Sequence, residues 1–354
     1  MTIKSLMTNL LLTLTLVAST FTSSYLMAQN HTNEPCGFDE IHKEKLLNDH
    51  EYAQKTIDFE NYLLKNTSKL KATSTNYKVP VVVHIMSDGT SLTEVSDQEI
   101  QDAIYNLNER YRKIPGSLGD GNGVDVTLEF SLAVRDPNGN CTNGIVRYDL
   151  SGNPTYVSDG VQRNTAGISD ATLKAYSYWN STQYYNIWLV SQIDGNNGGS
   201  GIQGYAYFAS AHGATFDGAL ILASKFKLSN NTTTTHEIGH AFNLHHTFNG
   251  DNDGNSCPLN NNCSSDGDLV CDTPPHIRSG SDCVSGTNSC DGGSSNDLYI
   301  HNYMDYSSDA CQSEFTSGQK TRIIAAMNTT RSSFLESNGN VSLIPVSSPT
   351  INFT

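Results

Sequence analysis

Two histidines four residues apart flank a glutamate in the run His236-Glu237-Ile238-Gly239-His240-Ala241-Phe242-Asn243-Leu244-His245-His246. On a helix that turns about 100° per residue, the imidazoles of His236 and His240 stand one above the other on one face. That spacing suits a shared zinc ion, with Glu237 beside it to take a proton from water. By itself the pattern also describes a surface helix with two idle histidines, so a third ligand must be found. His246 lies six residues past His240, about 9 Å along a continued helix axis and out of reach of a bond of about 2 Å. The backbone must therefore turn sharply between them. Asn243 stands where a left-handed residue would serve, and asparagine tolerates positive φ better than most residues with a side chain. His245 competes, but the six-residue frame favours His246. No Glu occurs between Glu237 and Glu314 to serve instead, and Asp251-Asn252-Asp253-Gly254-Asn255 reads as a solvated turn.

A second cluster is made of oxygen donors. Asp266, Asp268 and Asp272 with Thr273 lie in a stretch without helical or strand periodicity, and hard cations take such carboxylates at flexible geometry. The same region holds six of the eight cysteines, Cys257, Cys263, Cys271, Cys283, Cys290 and Cys311. A segment rich in Asn, Asp, Gly and Ser buries little surface and needs cross-links or ions to hold it. The pairing is open, and the absence of close CxxC pairs argues against a zinc ribbon. Cys36 and Cys141 are left over. Either they pair with each other, or Cys36 is free to act as a metal-binding thiolate.

The elements that must position these residues follow from composition and pattern. Asp and Glu number 36 against 21 Lys and Arg, a net charge of −15, which leaves no basic surplus for a phosphate backbone and argues against nucleic acid as a partner. Hydrophobic residues at 37%, with 17 Tyr and 12 Phe, suffice for a large core. Lys4 followed by the apolar run from Leu10 to Ala18 and a small residue at Ala28 reads as an export signal, and no apolar run is long enough to span a membrane. Residues 39–71 read as helical and 72–76 as a polar linker. The run Val79–Met86 then opens a new domain as a buried strand. Further strands are expected at 126–134, 186–192 and 219–223. The last of these, if exposed beside the metal-binding helix, would favour an extended peptide added to the sheet edge. Helices are expected after the capping box Ser96-Asp97-Gln98-Glu99, over 232–245, and over 315–335.

The run His236–His246 resembles the long zinc motif of the metzincin metallopeptidases, with Asn243 in place of its glycine, and Asn302-Tyr303-Met304-Asp305-Tyr306 resembles their Met-turn. Within that clan, His246-Thr247-Phe248, Gly267–Pro274, His301–Ser307 and Phe315–Gln319 are similar to the pappalysin family. The likeness covers roughly residues 77–335. It implies a mixed α/β (α+β) metzincin fold: a twisted mixed sheet with an active-site helix, a Met-turn and a disulfide-rich C-terminal subdomain, preceded by a small prosegment. The expected organisation is a signal peptide at 1–28, a propeptide at 29–76, a catalytic domain at 77–335 divided at 246/247, and a tail at 336–354. The resemblance implies a secreted endopeptidase with one catalytic zinc on His236, His240 and His246. Glu237 would be the general base, Tyr306 would steady the oxyanion, and Met304 would pack beneath the metal. It further implies calcium at Asp268, Asp272 and Thr273, and a carboxylate at Asp309 that favours cleavage before Arg or Lys. Cys36 would block zinc in a latent form. Expected partners are protein or peptide substrates and the chain's own propeptide, with the protein a monomer. No Arg precedes Arg110, so self-removal of the propeptide requires cleavage before Lys65, Lys69 or Lys71. The competing readings are a non-enzymatic calcium-dependent binding module and a zinc hydrolase acting on other substrates.

Overall fold

Val79–Met86 combines β-branched and apolar residues without alternation, the pattern of a strand covered on both faces. In the computed structural model, which describes residues 34–70 and 75–343, it is the central strand β1 (Tyr77–Ser87), buried from Val79 to Met86. The expected signal peptide (1–28) and the end of the expected tail (344–354) lie outside the described residues. One edge of β1 pairs in parallel with β2 (Leu128–Leu132) along its first half and with β3 (Ile145–Asp149) along its second. Its other edge pairs with β4 (Tyr185–Val190), which pairs in turn with β6 (Ala219–Leu222), again in parallel. The three-residue β5 (Gly204–Ala206) closes this side, antiparallel to β6 with Gly204 opposite Ile221. The strand that would take substrate at an exposed edge, 219–223, is thus interior. The edge belongs to Gly204–Ala206, too short and too poor in β-branched residues to be recognised by pattern.

Helices cover both faces. Helix α3 (Asp97–Tyr111) starts at a capping box between Ser96 and Glu99. Helix α6 carries the zinc-type motif (Thr233–Ala241), and α7 spans Ser317–Asn328. Their apolar faces form one core with Val79, Val81, Val83 and Ile85. On the opposite face, Met86, Trp188, Val190 and Leu222 share a core with Tyr156 of α4 (Pro154–Asp159), Leu173 of α5 (Asp170–Tyr176) and, from the N-terminal segment, Phe38 and Ile41. That segment is two helices, α1 (Phe38–Asn48) and α2 (His50–Leu70), where one helical stretch over 39–71 is expected. The break is at Asp49, extended at φ −122° and ψ 96°, whose carboxylate accepts from the Tyr52 N–H and so caps the second helix. Helix α7 ends at Asn328, earlier than expected, and a 3-10 segment follows over Ser332–Glu336. The described residues just beyond 335 stay packed: Val134 and Arg135 donate backbone hydrogen bonds to the Gly339 carbonyl.

Residues 247–315 form a loop-rich subdomain held by the disulfides Cys257–Cys290, Cys263–Cys271 and Cys283–Cys311. Cys36 and Cys141 are not paired; Cys36 is buried and Cys141 exposed. Asp251 is also not the solvated turn residue its sequence suggests. It is 2% exposed and accepts from the Arg278 guanidinium at 2.7 and 2.8 Å.

Candidate active site

The N-terminus of α6 is held by Asp309, whose carboxylate accepts from the Thr232 N–H at 3.0 Å, the Thr232 hydroxyl at 2.5 Å and the Asn231 amide at 3.0 Å. Negative charge at a helix N-terminus is favourable. The helix stops where the third histidine requires it to stop. Asn243 takes φ +66°, the Leu244 N–H returns to the Gly239 carbonyl at 3.0 Å, and the Asn243 amide oxygen accepts from the Ala209 N–H at 2.9 Å. Beneath the helix lies Met304, fully buried. A Cβ on Gly239 would stand 2.4 Å from its sulfur, so the glycine inside the motif is what lets the methionine turn approach.

This geometry brings together all three histidines. Nε2 of His236 lies 3.1 Å from Nε2 of His246 and 3.1 Å from that of His240, and the latter two are 3.2 Å apart. Each ring donates its Nδ1–H outward: His236 to the Tyr303 carbonyl at 2.7 Å, His240 to the Leu244 carbonyl at 2.7 Å, and His246 to the Asp39 carboxylate at 3.1 Å. With Nδ1 committed as donor, the three Nε2 atoms are acceptors facing one another, an arrangement a cation satisfies and hydrogen bonding among them does not. Cys36 completes the set, with Sγ 3.5 Å from His240 Nε2 and donating to Glu237 Oε2 at 3.4 Å. Among the described residues this cluster of Cys36, His236, His240 and His246 is the group able to hold a metal. Three imidazoles and a thiol at this spacing fit tetrahedral zinc. His245 turns away and packs against Phe208 and Phe38. Burial lowers the His236 pKa to about 3 and raises that of the Glu237 carboxyl to about 8, so both are strongly desolvated.

Beside the cluster is a cavity of about 190 Å³, lined among others by Glu237, Tyr306, Asp309, Gln312 and Gln203, with Pro35 and Cys36 entering it. The Tyr306 ring packs edge-to-face against His246 and Phe248, with ring centroids 4.9 and 4.7 Å apart, so the residue two past Met304 lies beside the histidines. The acids expected to bind calcium accept hydrogen bonds from protein donors. Asp268 accepts from the Thr273 hydroxyl and the Val270 N–H, while Asp272 accepts from the Thr316 hydroxyl and the Gly318 N–H at the start of α7. The two carboxylates are thus engaged by separate sets of protein donors.

Three contributors were not read from the sequence. Asp39 orients His246, Phe38 stacks on His240 with ring centroids 3.8 Å apart, and Gly204 meets the N-terminal segment through a single parallel bridge to Cys36, with the Gly37 N–H donating to its carbonyl at 3.0 Å. Asp39 follows Cys36 by three residues, and that closeness was the available signal for it. Nothing in the short run around Gly204 marks it as an edge.

Comparison with known proteins agrees with this geometry. Residues 167–328 match the peptidase M43 family model, described as pregnancy-associated plasma protein-A. The chain is 30% identical over 259 residues to extracellular metalloprotease 1 of Coccidioides posadasii, covering 70% of this chain and 75% of that protein. It is 29% identical over 258 residues to an extracellular metalloprotease of Arthroderma otae, covering 70% and 77%. Among solved structures, a mutant of Tannerella forsythia promirolysin superposes with a TM-score of 0.63 at 28% identity, covering 85% of this chain and 97% of that one. The mature Tannerella forsythia mirolysin with a cleaved peptide superposes with a TM-score of 0.58 at 29% identity, covering 74% and 96%. These relatives set aside the non-enzymatic binding module. No helix among the described residues is long and apolar enough to cross a membrane. The chain belongs to the pappalysin-type M43 metallopeptidases, a family of secreted zinc-dependent proteases.

Proposed function

We propose that the protein is a secreted endopeptidase made as a latent precursor. The observation that carries this is the meeting of three inward-facing Nε2 atoms within 3.2 Å of one another, with Glu237 and the Cys36 thiol against them. His236, His240 and His246 would hold zinc, which when bound supplies a Lewis acid that acidifies water and polarises the scissile carbonyl. Glu237 takes the proton of the attacking water and passes it to the leaving amine. Tyr306, packed edge-to-face against His246, offers its hydroxyl to the developing oxyanion, and Met304 supports the histidines from below. The expected division into a signal peptide at 1–28, a propeptide at 29–76 and a catalytic domain at 77–335 is part of this reading, supported by β1 starting at Tyr77. In the precursor Cys36 occupies the position where water would bind, and Asp39 holds His246. The cleaved peptide in the mature mirolysin structure supports peptide bonds as the substrate. Asp309 at the cavity wall favours a cationic side chain just after the scissile bond, because its hydrogen-bond donors are neutral and Arg110, the cation whose charge reaches it, donates to the Ser229 carbonyl instead. The deciding experiment is Glu237→Ala in the processed protein: it retains stoichiometric zinc and loses at least a thousandfold in peptide turnover. Undiminished cleavage would remove the assignment.

Calcium at Asp268, Asp272 and Thr273 is the remaining component. Its support is Asp268, 5% exposed, whose carboxyl is pushed up to about 7 by burial, a group a divalent cation would keep ionised. Calcium-selective chelation with zinc held saturating lowers the thermal midpoint by several degrees on this reading, and an unchanged midpoint counts against it.

A further inference from the structure

In the intact chain Pro35 and Cys36 enter the cavity bounded by Asp309 and α1 packs beside the histidines, and the contacts of this segment mark surface that a substrate meets once the segment is gone. From there α1 leads away across the far side of the histidines: Phe38 stacks on His240 and on Phe208, at 3.8 and 4.7 Å. Seven residues further on, the Lys45 ammonium lies 3.6 Å from the centre of the Phe216 ring and 5.8 Å from that of Tyr207. Its carboxylate partner, Asp49 at 3.8 Å, belongs to the same N-terminal segment. Loss of the segment therefore removes cation and counterion together and leaves the ring faces.

Those rings are held in place from behind. The Tyr207 hydroxyl donates to Asp170 at 3.0 Å, and the Phe216 carbonyl accepts from the Lys174 ammonium at 2.8 Å. Lys174, 4.7 Å from the Tyr207 ring centre, has its charge offset by Asp170 at 2.9 Å. The surrounding field also draws cations: residues 77–354 carry 14 Lys and Arg against 28 Asp and Glu, a formal −14. We propose that in the processed enzyme Phe216, with Tyr207, forms a subsite for a basic side chain of the substrate upstream of the scissile bond. The orientation rests on the reading of the Asp309 cavity as the pocket just after that bond. Seven residues of helix rise about 10 Å, which an extended peptide covers in about three residues. The preferred basic residue therefore stands three or four positions before the cleavage point.

The test uses the full-length protein after processing and a peptide panel with Arg fixed after the scissile bond. Lys and its uncharged isostere norleucine are exchanged at each of the five upstream positions. The ratio of kcat/KM for Lys over norleucine should reach about threefold to tenfold at the third or fourth position, the size of a partly desolvated cation–π contact. It should fall to about one in Phe216→Leu and persist in Tyr207→Phe, which keeps the ring. A ratio near one at every position of the wild-type enzyme overturns the subsite, and so does a ratio undiminished in Phe216→Leu. Should the leucine variant fail to fold, the wild-type ratio alone decides. Hydrolysis that continues without a Lys effect defeats the subsite and leaves the endopeptidase reading standing, whereas no hydrolysis of any peptide defeats both.

Discussion

At the scale of single residues, the site works because a few side chains have one atom each in a fixed place. His236, His240 and His246 are locked as Nδ1 donors by two carbonyls and a carboxylate, so their Nε2 lone pairs point inward without further ordering. Gly239 matters for what it lacks: in an exposed helix an alanine there would add about 1 kcal/mol of helix stability, yet here a Cβ would meet the Met304 sulfur at 2.4 Å, and the overlap wins. Asp309 has two tasks, capping α6 and facing the cavity. Asp309→Asn keeps one oxygen to accept from Thr232 at the start of the helix, gives up the bond from the Asn231 amide, and loses the charge. The preference for Arg or Lys over methionine after the scissile bond should therefore drop at least tenfold, while cleavage of apolar peptides changes little, as read by cleavage-site profiling. A preserved basic preference would move the specificity elsewhere.

At the scale of elements, the N-terminal helices are fastened at both ends of their contact. Cys36, Phe38 and Asp39 engage the histidine cluster, and some twenty residues later Glu60 forms a two-point ion pair with Arg322 at 2.6 and 3.0 Å. Arg322 also donates from Nε to the Asn243 carbonyl at 3.0 Å, which ties the helical clamp to the turn that delivers His246. The guanidinium is nearly buried, with its side chain 5% exposed against 27% for Glu60, so the pair is worth more than a surface bridge, about 1 kcal/mol or somewhat above. Cys36→Ala and Glu60→Gln, made separately, should each shorten the lag before activity appears by roughly fivefold or more. The fully processed enzymes should be indistinguishable, because neither residue remains in them. Equal lags in a time course of activation would show that latency lies elsewhere.

At the scale of the whole molecule, stability depends on groups buried in one protonation state. His84 is fully buried within the sheet, bonded to Ser177 and Asn186 at 2.7 and 2.9 Å, and burial lowers its pKa to about 4. A histidine depressed on folding contributes stability that is complete above its unfolded value of about 6.5 and is lost as pH falls through about 4. The amount is about 3 kcal/mol. The denaturation midpoint should therefore decline between pH 6.5 and 4, and His84→Gln should be less stable at pH 7 with a shallower decline across that window. An unchanged slope in that variant would assign the loss to other groups. Asp217 acts lower on the scale: salt-bridged by Arg331 at 2.8 and 2.9 Å, it is held down to about 2, so its contribution persists until pH falls below the ordinary carboxylate range.

Much of this was legible in the sequence because it is local. The four-residue histidine spacing, the capping box at Ser96 and Glu99 and the apolar run of β1 are each set by backbone geometry over a few residues, and Asn243 reports the left-handed turn through its own torsional preference. Tertiary structure decided what depends on distant segments meeting. It chose the disulfide partners and left Cys36 unpaired beside Glu237. It put Gly204–Ala206 rather than Ala219–Leu222 at the sheet edge, and it turned Asp251 from a loop residue into the buried partner of Arg278. The physical reason is the same in each case: pairing, edge position and burial are properties of contacts across long chain separations, which local propensity does not encode.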